Sequence, residues 1–192
     1  VGQDHADVAK LLIERGADVN QSDSGGVTAL MSAIDKRHSE TASLLIERGA
    51  DVNLQDVHGR VPMFVALAEH HREVARRLAD HTDPNVRTVD GSTLLMAAAR
   101  AEDAELVQWA LDHGTDVNAI RPHKSNATAL IYAARKGNPE IVAILLAGGA
   151  DPNVVNREGK TALDIAKGRE VKELLRATKT NPPSDDAANE GS

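Results

Sequence analysis

The chain has 192 residues and a formal net charge of −7, with 41% apolar and 27% charged residues. This composition is ordinary for a folded soluble protein, and the negative charge argues against general nucleic-acid binding, which needs clustered Lys and Arg. No apolar run approaches the roughly 18 residues of a membrane span, and the absence of cysteine excludes disulfides and thiolate metal sites. We therefore expect a soluble chain with no nucleic-acid or membrane partner. The composition leaves the compartment open, with the cytoplasm favoured.

Aromatic residues are scarce, at 2% of the chain, and comprise only Phe64, Trp109 and Tyr132. A core must therefore be built from Leu, Ile, Val and Ala. Such a core suits small helices in close contact, because Ala lets helices approach and Leu fills the remaining space. Trp109 stands beside Leu106 and Val107 in an apolar stretch, so we predict a core position for it rather than a contact with a partner.

The predicted elements begin with a helix and a turn that recur along the chain. The sequence LLIERGADVN occupies residues 11–20 and, unchanged, residues 44–53, an offset of 33 residues. Looser copies end at Asn85, Asn118 and Asn153. Copies at a nearly constant period indicate an internal repeat whose units must stack, because one unit cannot bury its own apolar face.

A second motif follows most of these turns in the same register. Six residues beyond a repeat asparagine stands a glycine that opens GVTAL, GRVPM, GSTLL or GKTAL; these glycines are Gly26, Gly59, Gly91 and Gly159. Apolar residues then recur at helical spacing, as in Leu130, Ala133 and Ala134. Each unit therefore predicts two helices and a projecting turn.

The two motifs in one register resemble the ankyrin repeat, and the resemblance covers roughly residues 1–177. It implies an all-α ankyrin-repeat solenoid of stacked helix-turn-helix units, with short β-hairpin finger turns and a long concave surface. A threonine lies where the first helix of most units begins, with its hydroxyl available to the unpaired amides of the first turn. The threonines at this position are Thr28, Thr93, Thr128 and Thr161.

The repeat boundaries follow from these motifs. We predict a partial N-terminal repeat that lacks its first helix, four repeats, a shortened C-terminal capping repeat and a disordered tail; their bounds are 1–22, 23–55, 56–87, 88–120, 121–155, 156–177 and 178–192. Without a first helix, Val8, Leu11 and Leu12 should be poorly covered, and we expect further repeat sequence before Val1. The tail has two prolines, small polar residues and no apolar periodicity.

Two units depart from the common length. The spacing falls to 32 between Gly59 and Gly91, and it rises to 35 between Gly91 and Asn126, which takes the glycine position. The longer unit predicts a longer finger around His123 and Lys124, on the loop-bearing side that binds partners in repeat proteins. Drift in a surface loop explains the insertion equally well.

Little in the sequence supports catalysis or metal binding. Of the eight histidines, His70 and His71 are adjacent, but neighbouring side chains on a helix point about 100° apart and no ligand follows at i+4. His81 and His113 share one repeat position, and a solenoid keeps such positions too far apart for one ion. There is no cysteine nucleophile, G-x-S-x-G elbow or glycine-rich phosphate loop. We therefore predict a non-enzymatic protein with no metal and no cofactor.

The predicted function is the binding of a protein partner, by a monomer, through the concave surface. The resemblance implies contacts from finger tips and inner helices, because ankyrin proteins commonly use those positions. These positions vary between repeats while the framework does not, as a specific surface requires. They are Ser24, Val27, Asp35, Lys36, Val57, His58, Arg60, Glu69, Val89, Asp90, Ser92, Arg100, His123, Lys124, Arg135, Lys136, Arg157, Glu158 and Lys160.

The inner-helix positions also predict the charge of the partner. They change from Asp35 and Lys36 in the first full repeat to Arg135 and Lys136 in a later one, with Arg100 between them. Positive charge gathered in the C-terminal half of an acidic chain favours a partner with an acidic contact region. A solvated charged face is the alternative.

Two other functions stay open. The chain is alternatively a structural spacer or a masking segment within a larger protein, in which case the isolated chain would retain no partner. The resemblance also implies that the repeat asparagines occupy the position that oxygenases hydroxylate in some ankyrin proteins, which would make the chain a substrate. These asparagines are Asn20, Asn53, Asn118 and Asn153.

Overall fold

The chain folds into a stack of short helices. A computed structural model describes residues 4–122 and 125–180, and within these ranges the chain is all-α, with eleven helices and two isolated antiparallel bridges. The helices are α1 (Ala6–Glu14), α2 (Ala29–Asp35), α3 (Ser39–Glu47), α4 (Pro62–Ala68), α5 (Arg72–Ala79), α6 (Leu94–Ala101), α7 (Ala104–Asp112), α8 (Ala129–Lys136), α9 (Pro139–Ala147), α10 (Ala162–Ile165) and α11 (Arg169–Thr180). Within the described residues, no helix combines the length and the hydropathy that a membrane span requires.

From α2 onward the helices form pairs that are arranged in two rows. Each inner helix contacts the outer helix that follows it, as α2 contacts α3 and α8 contacts α9. Inner helices also contact one another along the stack, from α2 through α4, α6 and α8 to α10, and the outer row runs in the same way from α1 to α11. The predicted all-α solenoid is therefore confirmed.

The predicted threonine caps are confirmed at four inner helices. The hydroxyl oxygen of Thr128 accepts a hydrogen bond from the amide of Ile131 at 3.3 Å, which satisfies one of the free donors of the first turn of α8. The helices α2, α6 and α10 are capped in the same way by Thr28, Thr93 and Thr161. The inner helix α4 instead begins after Val61 with Pro62, whose nitrogen carries no hydrogen that would need a partner.

The finger turns contain a left-handed residue at the same register. The four glycines at this position have φ angles between 73° and 78°; they are Gly26, Gly59, Gly91 and Gly159. Asn126 has a φ of 47°, so it does take the glycine position in the longer unit, as predicted. Asparagine tolerates this region better than most residues, because its short polar side chain can form local hydrogen bonds.

The core lies between the two helix rows. Leu30, Leu95 and Leu130 occupy the same repeat position, and none of them is more than 1% exposed. Trp109 is half-buried and packs against this core, as predicted. Aliphatic residues and alanines thus supply nearly all of the packing between repeats.

The first helix differs from the other outer helices in its exposed apolar face. Val8 is 54% exposed, Leu11 46% and Leu12 56%. The residue of α3 that corresponds to Leu12 is Leu45, which is only 4% exposed because the inner helix α2 packs against α3. The poor coverage predicted for these three residues of α1 is therefore observed.

The last helix pair is shorter at its inner helix and longer at its outer helix than the others. The inner helix α10 has only four residues, and Gly168, with a φ of 82°, precedes α11. The helix α11 continues to Thr180, past the predicted repeat boundary at residue 177. The remainder of the predicted tail, residues 181–192, lies outside the described residues.

The repeat asparagines connect successive turns. The side-chain oxygen of Asn118 accepts a hydrogen bond from the amide of Asp151 at 2.8 Å, and its nitrogen donates to the carbonyl of Gly149 at 3.1 Å. Asn53 makes the equivalent two bonds to the next turn, at 2.9 and 2.8 Å. These two asparagines therefore hold their turns at a fixed distance from the next, and Asn20 makes one of the two bonds, to the amide of Asp51 at 2.7 Å.

Candidate protein-binding groove

Three of the fingers are stiffened by one polar side chain at their start, which is Asp23, Asp56 or Asn156. The carboxylate of Asp56 accepts hydrogen bonds from the amides of His58 and Arg60, both at 2.9 Å. Asn156 accepts the corresponding two amides in the last finger, at 2.9 and 3.0 Å. Because such side chains fix the backbone of a tight turn, the residues at the tip project from defined positions.

Backbone hydrogen bonds also connect neighbouring fingers. The amide of Val57 donates to the carbonyl of Gly25 at 2.9 Å, and the amide of Val89 donates to the carbonyl of His58 at 2.8 Å. An equivalent bond, also of 2.9 Å, joins the last finger to the one before it. The fingers therefore form a row rather than independent loops. We call this row the finger wall; it comprises residues 23–27, 56–60, 88–92 and 156–160 and the described residues of the longer finger.

The finger wall and the inner helices enclose an open groove of about 580 Å³, which we call the inner groove. Its wall is formed by His58, Arg60, Thr88, Val89, Asp90 and Ser92. Its floor is formed mainly by α4 and α6, through Phe64, Leu67, Ala68, Ala97, Arg100 and Ala101. The three alanines of the floor have short side chains, and the space that they leave above the helices gives the groove its depth.

Seven of the predicted contact residues line this groove: His58, Arg60, Val89, Asp90, Ser92, Arg100 and Lys136. Ser92 is only 6% exposed, because its backbone is tied to Thr88 at the base of the finger, and it gives a partner little surface. Val57 is 63% exposed on the finger wall, Glu69 is half-buried at the end of α4, and Arg135 is exposed beside the groove.

The other predicted contact residues lie in the first full repeat and the last finger. Those exposed there are Ser24, Asp35, Lys36, Arg157, Glu158 and Lys160, and Val27 is half-buried. The two longer-finger residues, His123 and Lys124, lie outside the described residues. The structure therefore brings together the contact residues of the middle repeats and leaves those of the two ends apart from them.

Several residues of the groove were not predicted from the sequence: Phe64, Leu67, His70, Thr88, Ala97 and Arg121. Phe64 and Leu67 lie four residues and one residue before Ala68, on the same face of α4. Helical spacing counted back from Ala68 could therefore have indicated that both line the groove. Arg121 lies three residues after Asn118, at the position that Asp56 and Thr88 occupy in other fingers. The residue type differs at this position, so the repeat pattern did not indicate a long cationic side chain there.

Arg121 anchors the longer finger to the preceding one. Its guanidinium forms an ion pair and hydrogen bond with Asp90, and this contact raises the pKa of Arg121. Pro122 packs so closely on Gly91 that a Cβ atom at Gly91 would lie 2.7 Å from the proline ring. The start of the longer finger is therefore fixed against its neighbour.

Two further cations of the groove are paired with carboxylates of the chain. Arg60 lies 2.7 Å from the carboxylate of Asp56, which is almost fully buried. Burial raises the pKa of Asp56, but hydrogen bonds from the amides and side chain of Arg60 and His58, together with the charge of Arg60, outweigh it, so the pKa lies below its usual value. Lys136 lies 3.1 Å from Glu102, and both side chains are partly exposed.

Two arginines, one of which lines the groove, lie over one tyrosine ring. The guanidinium carbon of Arg100 is 5.7 Å from the ring centre of Tyr132, and that of Arg135 is 5.2 Å away. Burial raises the pKa of the Tyr132 phenol, but hydrogen bonding to Ser125 and Arg121 and the charges of Arg121 and Arg100 lower it further than burial raises it. The surroundings of this ring are therefore strongly cationic.

The inner groove is basic within an acidic chain. Arg60, Arg100, Arg121 and Lys136 line it together with one carboxylate, that of Asp90. No group of three or more His, Asp or Glu side chains with metal-binding geometry occurs in the part of the chain that the structure describes. The arrangement can hold anionic side chains of a partner on a surface with apolar patches.

Comparison with known protein families identifies one that matches this architecture. A family model described as ankyrin repeats, in three copies, matches the chain over residues 1–56, 63–156 and 95–186. Together these matches cover residues 1–56 and 63–186, which leaves out only residues 57–62 of the helix pairs and fingers that enclose the inner groove.

The similar curated proteins are longer chains. A protein of Oryza sativa subsp. japonica, named as a probable E3 ubiquitin-protein ligase XBOS34, is 39% identical over 89 residues, which is 46% of this chain and 17% of that protein. The E3 ubiquitin-protein ligase hecd-1 of Caenorhabditis elegans is 41% identical over 87 residues, 45% of this chain and 3% of that protein. The human NAD-capped RNA hydrolase NUDT12 is 62% identical over 39 residues, 20% of this chain and 8% of that protein. The chain therefore matches only a small part of the length of these relatives.

Proposed function

Because this chain belongs to the ankyrin-repeat family, we propose that it is a non-catalytic module that binds a protein partner through the inner groove and the finger wall. Ankyrin repeats generally mediate interactions between proteins, and their stacked units expose a long surface whose contact residues differ from unit to unit. The identity of the partner is not encoded in the fold. The chemistry of the groove determines which partner it can bind.

The observation that carries the proposal is the charge of the inner groove. Arg60, Arg100, Arg121 and Lys136 line a depression in a chain whose net charge is −7. A concentration of positive charge on an otherwise negative surface favours partners with an acidic contact region and disfavours partners that present basic residues. We therefore propose a protein partner that presents Asp and Glu side chains to the groove.

The proposed contacts outside the groove extend the same surface. Val57 and Val89 are 63% and 73% exposed on adjacent fingers, where apolar side chains of a partner would cover them. The exposed residues of the first full repeat and of the last finger lengthen this surface toward both ends. The groove supplies the charge, and the finger wall supplies apolar contact area.

A spacer or masking function is the second candidate. It is favoured by one observation, that the similar proteins are much longer than their matched segments, which amount to 17% and 3% of two of them. A segment that only separates other domains needs a stable stack but no specific groove. The two functions therefore differ in whether the isolated chain retains a partner.

Affinity capture from an extract of the source cells tests the proposal. Three baits are compared: the chain itself, an Arg100→Glu, Arg135→Glu, Lys136→Glu variant, and a control in which the exposed Lys10, Arg15 and Arg48 become Glu. We expect a protein that the first and third baits retain and the second loses by more than about tenfold, which corresponds to roughly 1.4 kcal/mol. Thermal unfolding of each bait shows that the stack is intact.

The spacer function predicts a different outcome. In that case no protein is retained above background, or the three baits retain the same proteins to the same extent. Either outcome would contradict binding through the inner groove. Because the control variant has the same change in net charge as the groove variant, a general effect of charge would lower retention by both.

A further inference from the structure

The cations around the inner groove differ in whether a carboxylate of the chain itself is paired with them. Arg60 is paired with Asp56, Arg121 with Asp90, and Lys136 with Glu102. A cation that already has an anionic partner offers less to a second anion, since the existing pair must be disrupted or shared. These three residues therefore contribute less to partner binding than their charges suggest.

Arg100 and Arg135 form a different class. Within residues 4–122 and 125–180, neither guanidinium is within ion-pair distance of a carboxylate. Both are exposed, and they come from neighbouring inner helices, α6 and α8. Two unpaired guanidinium groups on adjacent helices can approach the same anionic segment.

The ring of Tyr132 fixes the position of both guanidinium groups. It lies 5.7 Å from Arg100 and 5.2 Å from Arg135, within the distance at which a cation is attracted to an aromatic face. The ring is itself fixed, because it is only 4% exposed and its hydroxyl lies 3.3 Å from the Ser125 hydroxyl. Arginines that are held in place before binding lose less side-chain freedom when an anion binds.

Apolar surface lies directly beside this cluster. The half-buried Ala97 forms the groove floor next to Arg100, and the exposed Ala68 lies on the floor at α4, above the almost fully buried Phe64 and Leu67. The exposed Val89 stands on the wall opposite the floor. A segment that places an anionic side chain on the cluster would therefore place its neighbouring side chains on apolar groups.

We infer that Arg100, Tyr132 and Arg135 form an anion-binding subsite at the edge of the inner groove, and that it takes the carboxylate of an Asp or Glu next to an apolar residue in a partner segment. This rests on the proposed function and narrows it to a peptide-like ligand. The guanidinium groups contact the carboxylate through paired N–H donors, whose planar geometry matches it. Tyr132 acts as a positioning residue, through the two arginines.

Selection from a library of random dodecapeptides displayed on phage tests the inference without a known partner. The full chain is the target. We expect the recovered peptides to be enriched in Asp and Glu adjacent to an apolar residue. Representative peptides are then synthesised with a fluorophore, and their dissociation constants are measured by fluorescence anisotropy at two salt concentrations, because binding to exposed cations weakens as salt rises.

The variants separate the subsite from general charge. We expect Arg100→Ala with Arg135→Ala to weaken peptide binding by at least tenfold, and Arg15→Ala with Arg48→Ala, two exposed arginines at the ends of α1 and α3, to leave it unchanged. Tyr132→Phe keeps the ring and should bind normally, whereas Tyr132→Leu should weaken binding at a temperature where thermal unfolding shows it folded. A purely structural Tyr132 would not distinguish these two replacements in binding once both are folded.

Several results would overturn the inference. They are peptides without acidic enrichment, acidic peptides whose affinity is the same for the double-alanine variant, or no peptides at all. The C-terminal segment contains the acidic residues Asp185, Asp186 and Glu190. If peptides were recovered only with a variant that carries Asp185→Asn, Asp186→Asn and Glu190→Gln, the chain's own acidic residues would compete for the subsite, which also contradicts an external ligand. A partner retained in affinity capture but unaffected by these variants would leave the proposed function standing and remove only the subsite.

Discussion

The helix pair α8/α9 contains every local signal for its fold, whereas the pair α4/α5 lacks most of them. In the first pair, Thr128 and Asn138 cap the two helices, each through a side-chain oxygen that accepts an amide. Gly137 and Gly149, with φ angles of 84° and 86°, supply the left-handed residues after the two helices. Local sequence alone would place these helix ends correctly.

The pair α4/α5 reaches the same fold by other means. Pro62 begins the inner helix, and His71, at the start of α5, makes no side-chain capping bond. His70 adopts the left-handed conformation, with a φ of 54°, where the other pair has glycine. At the end of α5 no glycine follows; the hydroxyl of Thr82 instead donates to the carbonyl of Leu78 at 2.8 Å.

The difference shows that packing replaces local signals in the middle of the stack. Every residue of α4 from Pro62 to Leu67 is buried, so the position of this helix is set by its neighbours on both sides. Across the outer row, Arg76 of α5 lies 2.9 Å from Glu105 of α7. Helices of this length are marginal in isolation, and their stability comes mainly from tertiary contacts.

The largest effect is expected where packing alone determines stability. Leu130→Ala in α8 removes a side chain that is 1% exposed and should destabilise the chain by about 2–5 kcal/mol, because it leaves a cavity between repeats. Leu163→Ala, at the same repeat position in α10 but only half-buried, should cost less. Denaturant unfolding measures both, and a loss below about 1 kcal/mol at Leu130 would show that local signals hold α8 without that contact.

A smaller change in unfolding free energy is expected from substitutions at the residues with left-handed backbone conformation. A Cβ atom at Gly137 would lie 3.1 Å from the Cβ of Lys167, whereas one at Gly149 would meet nothing within 4 Å. Both Gly→Ala changes incur the left-handed penalty of roughly 1–2 kcal/mol, and Gly137→Ala should cost more. His70→Gly should stabilise α4/α5 by up to about 1 kcal/mol. Equal losses at the two glycines would show that the approach of Lys167 is irrelevant.

A smaller effect is expected from the helix cap. Thr128→Ala removes the acceptor for the Ile131 amide and should destabilise the chain by about 1 kcal/mol. Thr128→Ser keeps the hydroxyl and serves as the control. If Ser is as destabilising as Ala, the methyl group of the buried Thr128 matters rather than the cap, and α8 would depend on packing as α4 does.

The smallest effect on stability is expected from the ionisation of Asp56, which starts the finger before α4. Its pKa in the folded chain lies below the unfolded value of 3.8, so the ionised carboxylate stabilises the fold above that pH, and this contribution is lost as the pH falls through the folded pKa. Asp56→Asn copies the arrangement of Asn156 and should weaken the decline of unfolding free energy between about pH 5 and about pH 2. Identical acid dependence of the two chains would contradict this role.

The fold was predictable because the repeat of about 33 residues places the same residue type at the same position of each helix pair. The register that puts Thr128 at a helix start also puts Leu130 in the core, and both positions are confirmed. The partners of the groove cations were not predictable in the same way. Arg121 and Lys136 reach carboxylates in a neighbouring unit, and such contacts depend on how closely successive units stack and on the path of a finger with an insertion.

The contact surface was predictable only in outline. The repeat pattern indicated which face would carry the contacts, and it included Arg100 and Arg135. It also included Ser92, which is buried because the backbone folds back at the base of the finger. The pattern assigns a side chain to a face, but its accessibility and its ion pairs arise from neighbours distant in sequence.

Amide chemical shifts of the isotopically labelled chain, recorded on addition of the protein retained in affinity capture, show whether that partner binds in the inner groove. We expect shifts at the fingers that carry His58 and Val89 and at the ends of α6 and α8, near Arg100 and Arg135, with the outer helices unchanged. Shifts confined to α3, α5 and α7, with the groove amides unaffected, would contradict binding in the inner groove.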